Sequence, residues 1–205
     1  MAGVEVTSGS GGMPTVNPVS KVPLFGNKGL TANDGFASQA EVLIDARTAA
    51  DKVGATYMDR PEWIAVHPTT KEAYCSLSNN TARGQSAPLG RSEPLGSDAA
   101  NPRSPNLMGH IIRWRDADGN PASTRFQWDI FLLAGDPKNP EVTKKGSGNK
   151  GLAFAQPDKL SFDPRGVLWI QTDSSARTSR SRIGKTSATI KCSLPIPRRA
   201  TSEDF

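Results

Sequence analysis

The sequence has few aromatic residues and no long apolar run. Aromatic residues make up 6% of its 205 positions, and no stretch approaches the ~20 consecutive apolar residues that a membrane-spanning helix needs. The first residues, MAGVEV, show neither the basic start nor the apolar core of an export signal. We therefore expect no membrane association and no export signal in this chain. With 36% hydrophobic residues, 19 Gly and 16 Pro, the composition favours an all-β or loop-rich protein.

Cysteine is also scarce. Cys75 and Cys192 are the two cysteines of the sequence, too few for a disulfide framework and too far apart for a CxxC metal pair. Cys75 lies in the apolar run AYCSL, where a buried, small hydrophobic side chain is the simpler interpretation. The redox compartment therefore does not follow from the cysteines.

Acidic residues are fewer than basic ones, 20 against 25, and the difference comes from the last 32 residues. Residues 174–205 contain seven of the 25 basic residues and two of the 20 acidic ones, which leaves 18 of each sign in residues 1–173. A nucleic-acid-binding groove would interleave its basic residues with aromatic ones, whereas this segment has one aromatic residue, Phe205. We therefore expect no nucleic-acid partner.

One segment is typical of a helix. In SQAEVLIDARTAADKVGA, Ser38 and Glu41 have the spacing of a capping box, and Gly54 suits a helix C-terminus. Elsewhere we expect little helix.

Period-two alternation begins at Glu62 and predicts four strands. The third and fourth are joined through Asp118-Gly119, a strong turn signal. A long polar loop, residues 79–109, separates the two pairs, and loops of that length usually carry function or disorder. The four predicted strands lie in WIAVHP, TKEAYCSLS, HIIRW and TRFQWDIFLL.

A weak internal repeat favours one β architecture. PEWIAVHP, which starts at Pro61, aligns with PDKLSFDP, which starts at Pro157, and each continues through a turn into a second apolar run. Repeated hairpins are typical of propellers and solenoids. We predict an all-β fold with one inserted helix: about one and a half blades of a β-propeller, which needs ~4 to 8 blades to close.

The alternation stops after Asp173, although the second blade still needs two strands. Either residues 174–205 are a natural disordered tail, or a reading-frame shift has replaced the proper continuation. We favour the shift, because half a blade leaves a sheet edge uncovered. The predicted organisation is a loop-rich segment at 1–28, a partial propeller at 29–173 and a basic Ser/Arg-rich tail at 174–205.

Each copy of the repeat places an acidic residue, Glu62 or Asp158, at the start of its first strand. In a propeller these starts converge near the central channel. Gathered carboxylates need a counter-charge, and calcium, with six to eight oxygen ligands, supplies one. Asn80, near a strand end, could add a carbonyl ligand. Arg60 lies two residues before Glu62 and could fork onto a phosphate; a plain Arg60–Glu62 ion pair is the alternative.

Several ordered motifs from about Gly29 to Asp173 resemble the C-terminal half of PhoX-type alkaline phosphatases. This resemblance implies a six-bladed propeller, exported through the twin-arginine route to the periplasm or beyond, that hydrolyses phosphate monoesters with Fe³⁺ and Ca²⁺. The motifs are NDGFASQAEVLIDARTAADKVGAT, MDRPEWIAVHP, AYCSLSNNTARG, DAANPRSPNLMGHIIRW, TRFQWDIFLLAGDP and LSFDPRGVLWIQTD.

Carried over to this sequence, the resemblance implies that Arg60 contacts phosphate and Glu62 binds metal, with Asp158 a further ligand by its place in the repeat. Two departures count against activity. The family's iron-binding cysteine lies in a half that this sequence lacks, and Cys75 does not replace it. Lys159 stands where the family often has Asn, and its ammonium would oppose a neighbouring cation. We therefore expect an inactive fragment.

Two other interpretations remain open. PDKLSFDPRGVLW also resembles the blade motif of gluconolactonase-type hydrolases, which indicates a lactonase. The chain could equally be a non-catalytic propeller remnant that binds calcium or a partner. The sequence does not indicate an oligomeric state.

Overall fold

The computed structural model describes residues 32–88, 92–123, 126–136, 138, 153–173 and the backbone of 190–192. The predicted N-terminal loop segment, 1–28, lies outside these residues, as does most of the predicted tail. Within them the chain is mostly β-sheet, with two short α-helices and two antiparallel sheets.

The predicted helix forms as two. A 3-10 turn at Ala32–Asp34 precedes helix α1, Gln39–Ile44, and helix α2, Ala46–Lys52. The Ser38 N-cap is confirmed, because its hydroxyl accepts the amide of Glu41 at 3.3 Å. The Glu41 carboxylate also reaches back, but it accepts the amide of Ala37, one residue before the N-cap, at 2.7 Å. Asp45 leaves the helical region, with φ −105° and ψ 47°. Aspartate favours such helix junctions over helix interiors, and the break therefore falls at this residue.

The first sheet confirms the four predicted strands. Strands β1 (Pro61–Val66), β2 (Ala73–Leu77), β3 (His110–Asp116) and β4 (Phe126–Leu133) pair antiparallel in chain order. A 3-10 turn at Ala117–Gly119 joins β3 to β4, where the Asp-Gly signal predicts a turn.

The second sheet contains one strand more than the sequence indicates. Strands β5 (Pro157–Phe162) and β6 (Leu168–Thr172) form the predicted hairpin, and β7 (Ile190–Cys192) pairs with β6. Strand β7 lies beyond Asp173, where we expected no strand. Ile190 and Cys192 do alternate with polar residues in the sequence, but three residues are too few for a periodicity to be recognised.

The two sheets share one hydrophobic core. Strand β5 packs against β1 and β2, so the second hairpin lies beside the first. The buried residues of this core come from both sheets and are Tyr74, Ile111, Phe131, Leu132, Ala134, Phe154, Leu160, Leu168 and Ile170. Gly109, at the start of β3, has φ +78°, and a Cβ there would overlap the carbonyl oxygens of Leu77 and Ser78. This close approach therefore requires glycine.

The two copies of the repeat have the same local geometry. Arg60 and Gln156 both have φ 55°, and each is followed by the proline that begins its hairpin. The carbonyl of Arg60 accepts the amide of Ser78 at 3.1 Å, and that of Gln156 accepts the amide of Asp173 at 3.0 Å. The repeat therefore describes a structural unit in which Arg60 and Gln156 are equivalent.

Neither described α-helix exceeds seven residues, and none of the described helices is long and apolar enough to cross a membrane.

Candidate functional site at the starts of β1 and β5

Arg60 and Glu62 form the centre of the candidate site. The Arg60 Nε lies 2.7 Å from the Glu62 Oε1, so the two side chains point the same way, as their spacing predicts. The Arg60 side chain is 52% exposed and that of Glu62 is 30% exposed. A pair this accessible contributes at most about 1 kcal/mol to stability. The pair therefore leaves the guanidinium accessible to a ligand.

A second carboxylate near Arg60 belongs to the other sheet. Asp173, directly after β6, has its Oδ2 3.6 Å from the Arg60 Nη2. The sequence did not single out Asp173 as a site residue. Its distance from Arg60 depends on how the two sheets pack. The repeat could nevertheless have indicated Asp173, because its amide donates to the carbonyl of Gln156 as the amide of Ser78 donates to the carbonyl of Arg60.

Asp158 is held next to β1 through one serine. The Ser76 hydroxyl accepts the amide of Trp63 at 3.0 Å and donates to the carbonyl of Asp158 at 2.5 Å. The backbones at the starts of β1 and β5 are therefore adjacent. The ammonium of Lys159 lies over the Trp63 ring, 5.1 Å from its centroid, so its charge interacts with the aromatic face.

The structure places Asn80 in a different setting. Its side-chain oxygen accepts the amides of Ala82 and Arg83, at 3.1 and 3.0 Å, and its nitrogen donates to the Asp59 carboxylate at 3.0 Å. The oxygen that would bind calcium is thus engaged by the loop's own backbone. A metal role for Asn80 stays a prediction from the sequence.

Asp59, next to Arg60, is the centre of a buried polar network that sequence reasoning missed. Its Oδ1 accepts from the Arg83 Nε at 2.6 Å, and both side chains are almost fully buried. Its Oδ2 accepts from Asn106 at 2.9 Å, and its backbone amide donates to Asn101 at 3.0 Å. These partners all lie in the long 79–109 loop. The loop therefore has a packed polar interior.

His110 extends this network at the start of β3. Its Nδ1 lies 3.0 Å from the Asn106 amide, and its Nε2 lies 2.7 Å from the Ala100 carbonyl. A neutral ring that accepts at Nδ1 and donates at Nε2 satisfies both contacts. Burial lowers the pKa of His110 to about 4. His110 is therefore a neutral structural group at physiological pH.

The other histidine, His67, lies in the turn between β1 and β2. The Nδ1 of His67 accepts the amides of Thr69 and Thr70, each at 3.1 Å. Asp163, at the equivalent position of the second hairpin, accepts the amides of Arg165 and Val167 in the same way. His67 is thus a hydrogen-bonded turn residue.

The family resemblance implies calcium and iron, and the described residues suit these two metals to different degrees. Glu62 and Asp158 offer carboxylate oxygens, which suit calcium in kind, but no group of three or more His, Cys, Asp or Glu within the described ranges could hold a metal ion. The described part therefore contributes at most some of a calcium site. Cys75 is buried, and burial raises the pKa of its thiol to about 11. Cys75 also belongs to no group of His, Cys, Asp or Glu among the described residues that could hold a metal ion, so it does not fit an iron ligand.

Two comparisons with known proteins indicate the same family. A family model described as alkaline phosphatase PhoX matches residues 4–196, beyond both ends of the span over which the motifs resemble that family. The solved structure of Pseudomonas fluorescens PhoX in complex with vanadate, a transition state analogue, is similar, with 43% sequence identity and a TM-score of 0.64. The match covers 79% of this chain and 28% of that chain, so this chain spans less than a third of its relative. A search of curated proteins gave no match.

Proposed function

The chain belongs to the alkaline phosphatase PhoX family, and we propose on that basis that it supplies part of a site that hydrolyses phosphate monoesters. The observation that carries the proposal is the position of Arg60. Its guanidinium lies between Glu62 and Asp173, on the side of the molecule where the starts of the two repeated hairpins are adjacent. No observation favours the lactonase or the non-catalytic alternative.

Arg60 is the proposed phosphate contact. Its contact with Asp173 is long, at 3.6 Å, while that with Glu62 is short, at 2.7 Å. A phosphate oxyanion could therefore replace Asp173 while the Arg60 Nε stays on Glu62. Charge that builds on the transferring phosphoryl group would then face a guanidinium that is already oriented.

Glu62 and Asp158 are the proposed calcium ligands. Arg60, Glu62 and Asp173 together carry one excess negative charge, so a dianionic substrate would be repelled unless a cation were added. A bound divalent cation would neutralise phosphoryl oxygens and lower the pKa of a coordinated water. Glu62 would share its carboxylate between this cation and Arg60. Iron is implied by the family alone, and we assign no step to it.

We further propose that the two sheets are blades of a six-bladed propeller. The antiparallel meander of β1 to β4 and the repeated geometry of Arg60 and Gln156 support this. Residues 29–173 would make up about one and a half blades, of a protein that acts in the periplasm or outside the cell. The 205-residue chain would then have no phosphatase activity alone.

The direct test grafts this chain into its relative. The aligned segment of Pseudomonas fluorescens PhoX is replaced by the corresponding residues of this chain, and p-nitrophenyl phosphate hydrolysis is measured with calcium and with a chelator. We expect calcium-dependent hydrolysis in the graft and none in the 205-residue chain. Hydrolysis of a lactone instead of the phosphate ester would contradict the proposal.

Single substitutions in the graft then test the individual residues. Arg60→Lys, Glu62→Gln and Asp158→Asn should each lower kcat/KM at least about 100-fold. The first loses the forked contact with the transferring phosphoryl group, and the other two each replace a charged calcium ligand by a neutral amide. Glu93→Gln is the matched control, since Glu93 is exposed and lies in the 79–109 loop. If Glu62→Gln and Glu93→Gln have the same activity, Glu62 has no role in the site.

A further inference from the structure

Among the ion pairs of the described residues, that of Asp59 and Arg83 is the least accessible. Its Nε to Oδ1 distance is 2.6 Å, and the two side chains are 0% and 1% exposed. Arg83 also donates through Nη2 to the carbonyl of Tyr57 at 2.6 Å and through Nη1 to that of Gly96 at 2.6 Å. The Arg83 side chain thus connects Tyr57 and Asp59 to the 79–109 loop.

Stability alone does not explain this pair. Removing two charges from water costs several kcal/mol per ion, and apolar replacements of similar volume are often neutral or stabilising. A buried pair is better explained by the geometry that it specifies. Because Asp59 directly precedes Arg60, the pair can fix the backbone conformation of Arg60.

The two equivalent turns of the repeat are anchored differently. At Gln156 the backbone amide donates to the carbonyl of Met108 at 2.6 Å, which attaches that turn to the end of the 79–109 loop, just before β3. At Arg60 the backbone amide donates only locally within the described structure, to Met58 at 3.0 Å. The residue before Gln156 is Ala155, whereas the residue before Arg60 is Asp59. At the first turn the contacts with the 79–109 loop are therefore made by Asp59, through its backbone amide and its carboxylate, and not by the amide of Arg60.

The anchor matters because Arg60 has φ 55°, a left-handed conformation that costs free energy in any residue with a side chain. Such a conformation persists only where its surroundings fix it. On one side, the Arg60 carbonyl is fixed by the amide of Ser78. On the other side, Asp59 is fixed through its backbone amide by Asn101 and through its carboxylate by Arg83.

From these contacts we propose that Asp59 and Arg83 are positioning residues, which fix the backbone at Arg60 and so direct its guanidinium toward Glu62. This inference rests on the proposed function only in treating Arg60 as the phosphate contact. Neither residue would touch substrate. Their effect on hydrolysis would pass through the orientation of Arg60 alone.

The test measures the mobility of Arg60 directly, in the 205-residue chain and without substrate. The ¹⁵N relaxation of arginine Nε–H groups is recorded for the wild-type chain and for Arg83→Met. This substitution keeps much of the side-chain volume and leaves Asp59 with the amides of Asn80 and Asn106. We expect the order parameter of the Arg60 Nε–H to fall from near the rigid range to below about 0.6.

Arg113 supplies both an internal reporter and a matched control. It forms a 2.6 Å ion pair with Asp129 on β3 and β4, away from the 79–109 loop. Its Nε–H should keep its order in Arg83→Met, and Arg113→Met should leave Arg60 unchanged. If Arg60 and Arg113 lose order together, Arg83 stabilises the fold generally and the positioning role is wrong.

Other outcomes are equally decisive. A wild-type Arg60 that is already mobile, or an Arg60 that stays ordered in Arg83→Met, would overturn the proposal. Should Arg83→Met fail to fold, Arg83→Lys keeps a cation for Asp59 but loses the forked contacts with Tyr57 and Gly96. Its Arg60 should be intermediate in order, and a wild-type value would overturn the proposal. Because the measurement needs no substrate, its failure and that of the phosphatase proposal are distinguishable.

Discussion

As the pH falls, this protein should lose stability through His110 at pH values above those at which carboxylates ordinarily titrate. His110 is fully buried, and burial lowers its pKa to about 4, while the Ala100 carbonyl acts in the opposite direction. Three charged groups also act on the ring: Arg103 and Arg83 lower the pKa, and Asp59 raises it. The neutral ring is therefore strongly favoured in the folded state.

The direction and size of the effect follow from linkage. In the unfolded chain His110 should titrate near its ordinary value of about 6.5, so between pH 6.5 and 4 the unfolded state binds more protons than the folded state. Stability is therefore fully present above pH 6.5 and is lost as the pH falls toward 4. For a folded pKa of about 4, the loss between pH 7 and pH 5 is about 2 kcal/mol.

Urea denaturation at pH 7 and pH 5 measures this loss, with His110→Gln as the control. The variant will be less stable at both pH values, because it disturbs the contacts with Asn106 and Ala100, but it cannot titrate. The difference between pH 7 and pH 5 should therefore shrink by about 2 kcal/mol in the variant. An NMR titration that places the folded His110 near pH 6.5, or an unchanged pH difference in His110→Gln, would refute the reasoning.

Three further predictions concern the packing of the sheets. Gly109→Ala should lower the free energy of unfolding in urea by about 3 kcal/mol, because its Cβ would overlap backbone carbonyl oxygens at φ +78°. Gly119→Ala, with φ +63° and open space around it, should lower it by about 1 kcal/mol. Equal losses would contradict this. Ile111→Ala should cost about 2 to 5 kcal/mol and Ile64→Ala less than about 1 kcal/mol, since Ile111 is fully buried and Ile64 is 60% exposed. A larger loss at Ile64 than at Ile111 would contradict the burial of these two side chains. In a Cys192→Ser background, Cys75 should react with a thiol reagent at pH 8 at least about 100-fold more slowly in the folded chain than in urea. The reason is that burial raises the pKa of the Cys75 thiol to about 11. Rapid labelling of the folded chain would show that β2 is accessible.

The features that could be predicted from the sequence are those that depend on residues close together along the chain. Period-two alternation and an Asp-Gly turn predict β1 to β4, and a spacing of two predicts the contact of Arg60 with Glu62. The break at Asp45 escaped prediction, because the capping signals mark the ends of the helical segment and not its interior.

Contacts between distant residues could not be predicted in the same way. Asp59 meets Asn101 and Arg83 only because a loop folds back over it, and no local pattern records which polar residues that loop buries. Asp173 approaches Arg60 only because β5 packs beside β1. The repeat predicted two related hairpins but not which of their side chains would meet.

The most direct test of the account is a crystal structure of the graft with calcium and vanadate. We predict one calcium ion with a carboxylate oxygen of both Glu62 and Asp158 at about 2.3 to 2.6 Å, and Arg60 donating to vanadate with its Nε still on Glu62. A structure in which these carboxylates bind different ions or face apart, or in which vanadate lies away from Arg60, would contradict the claim that the two hairpins build one site.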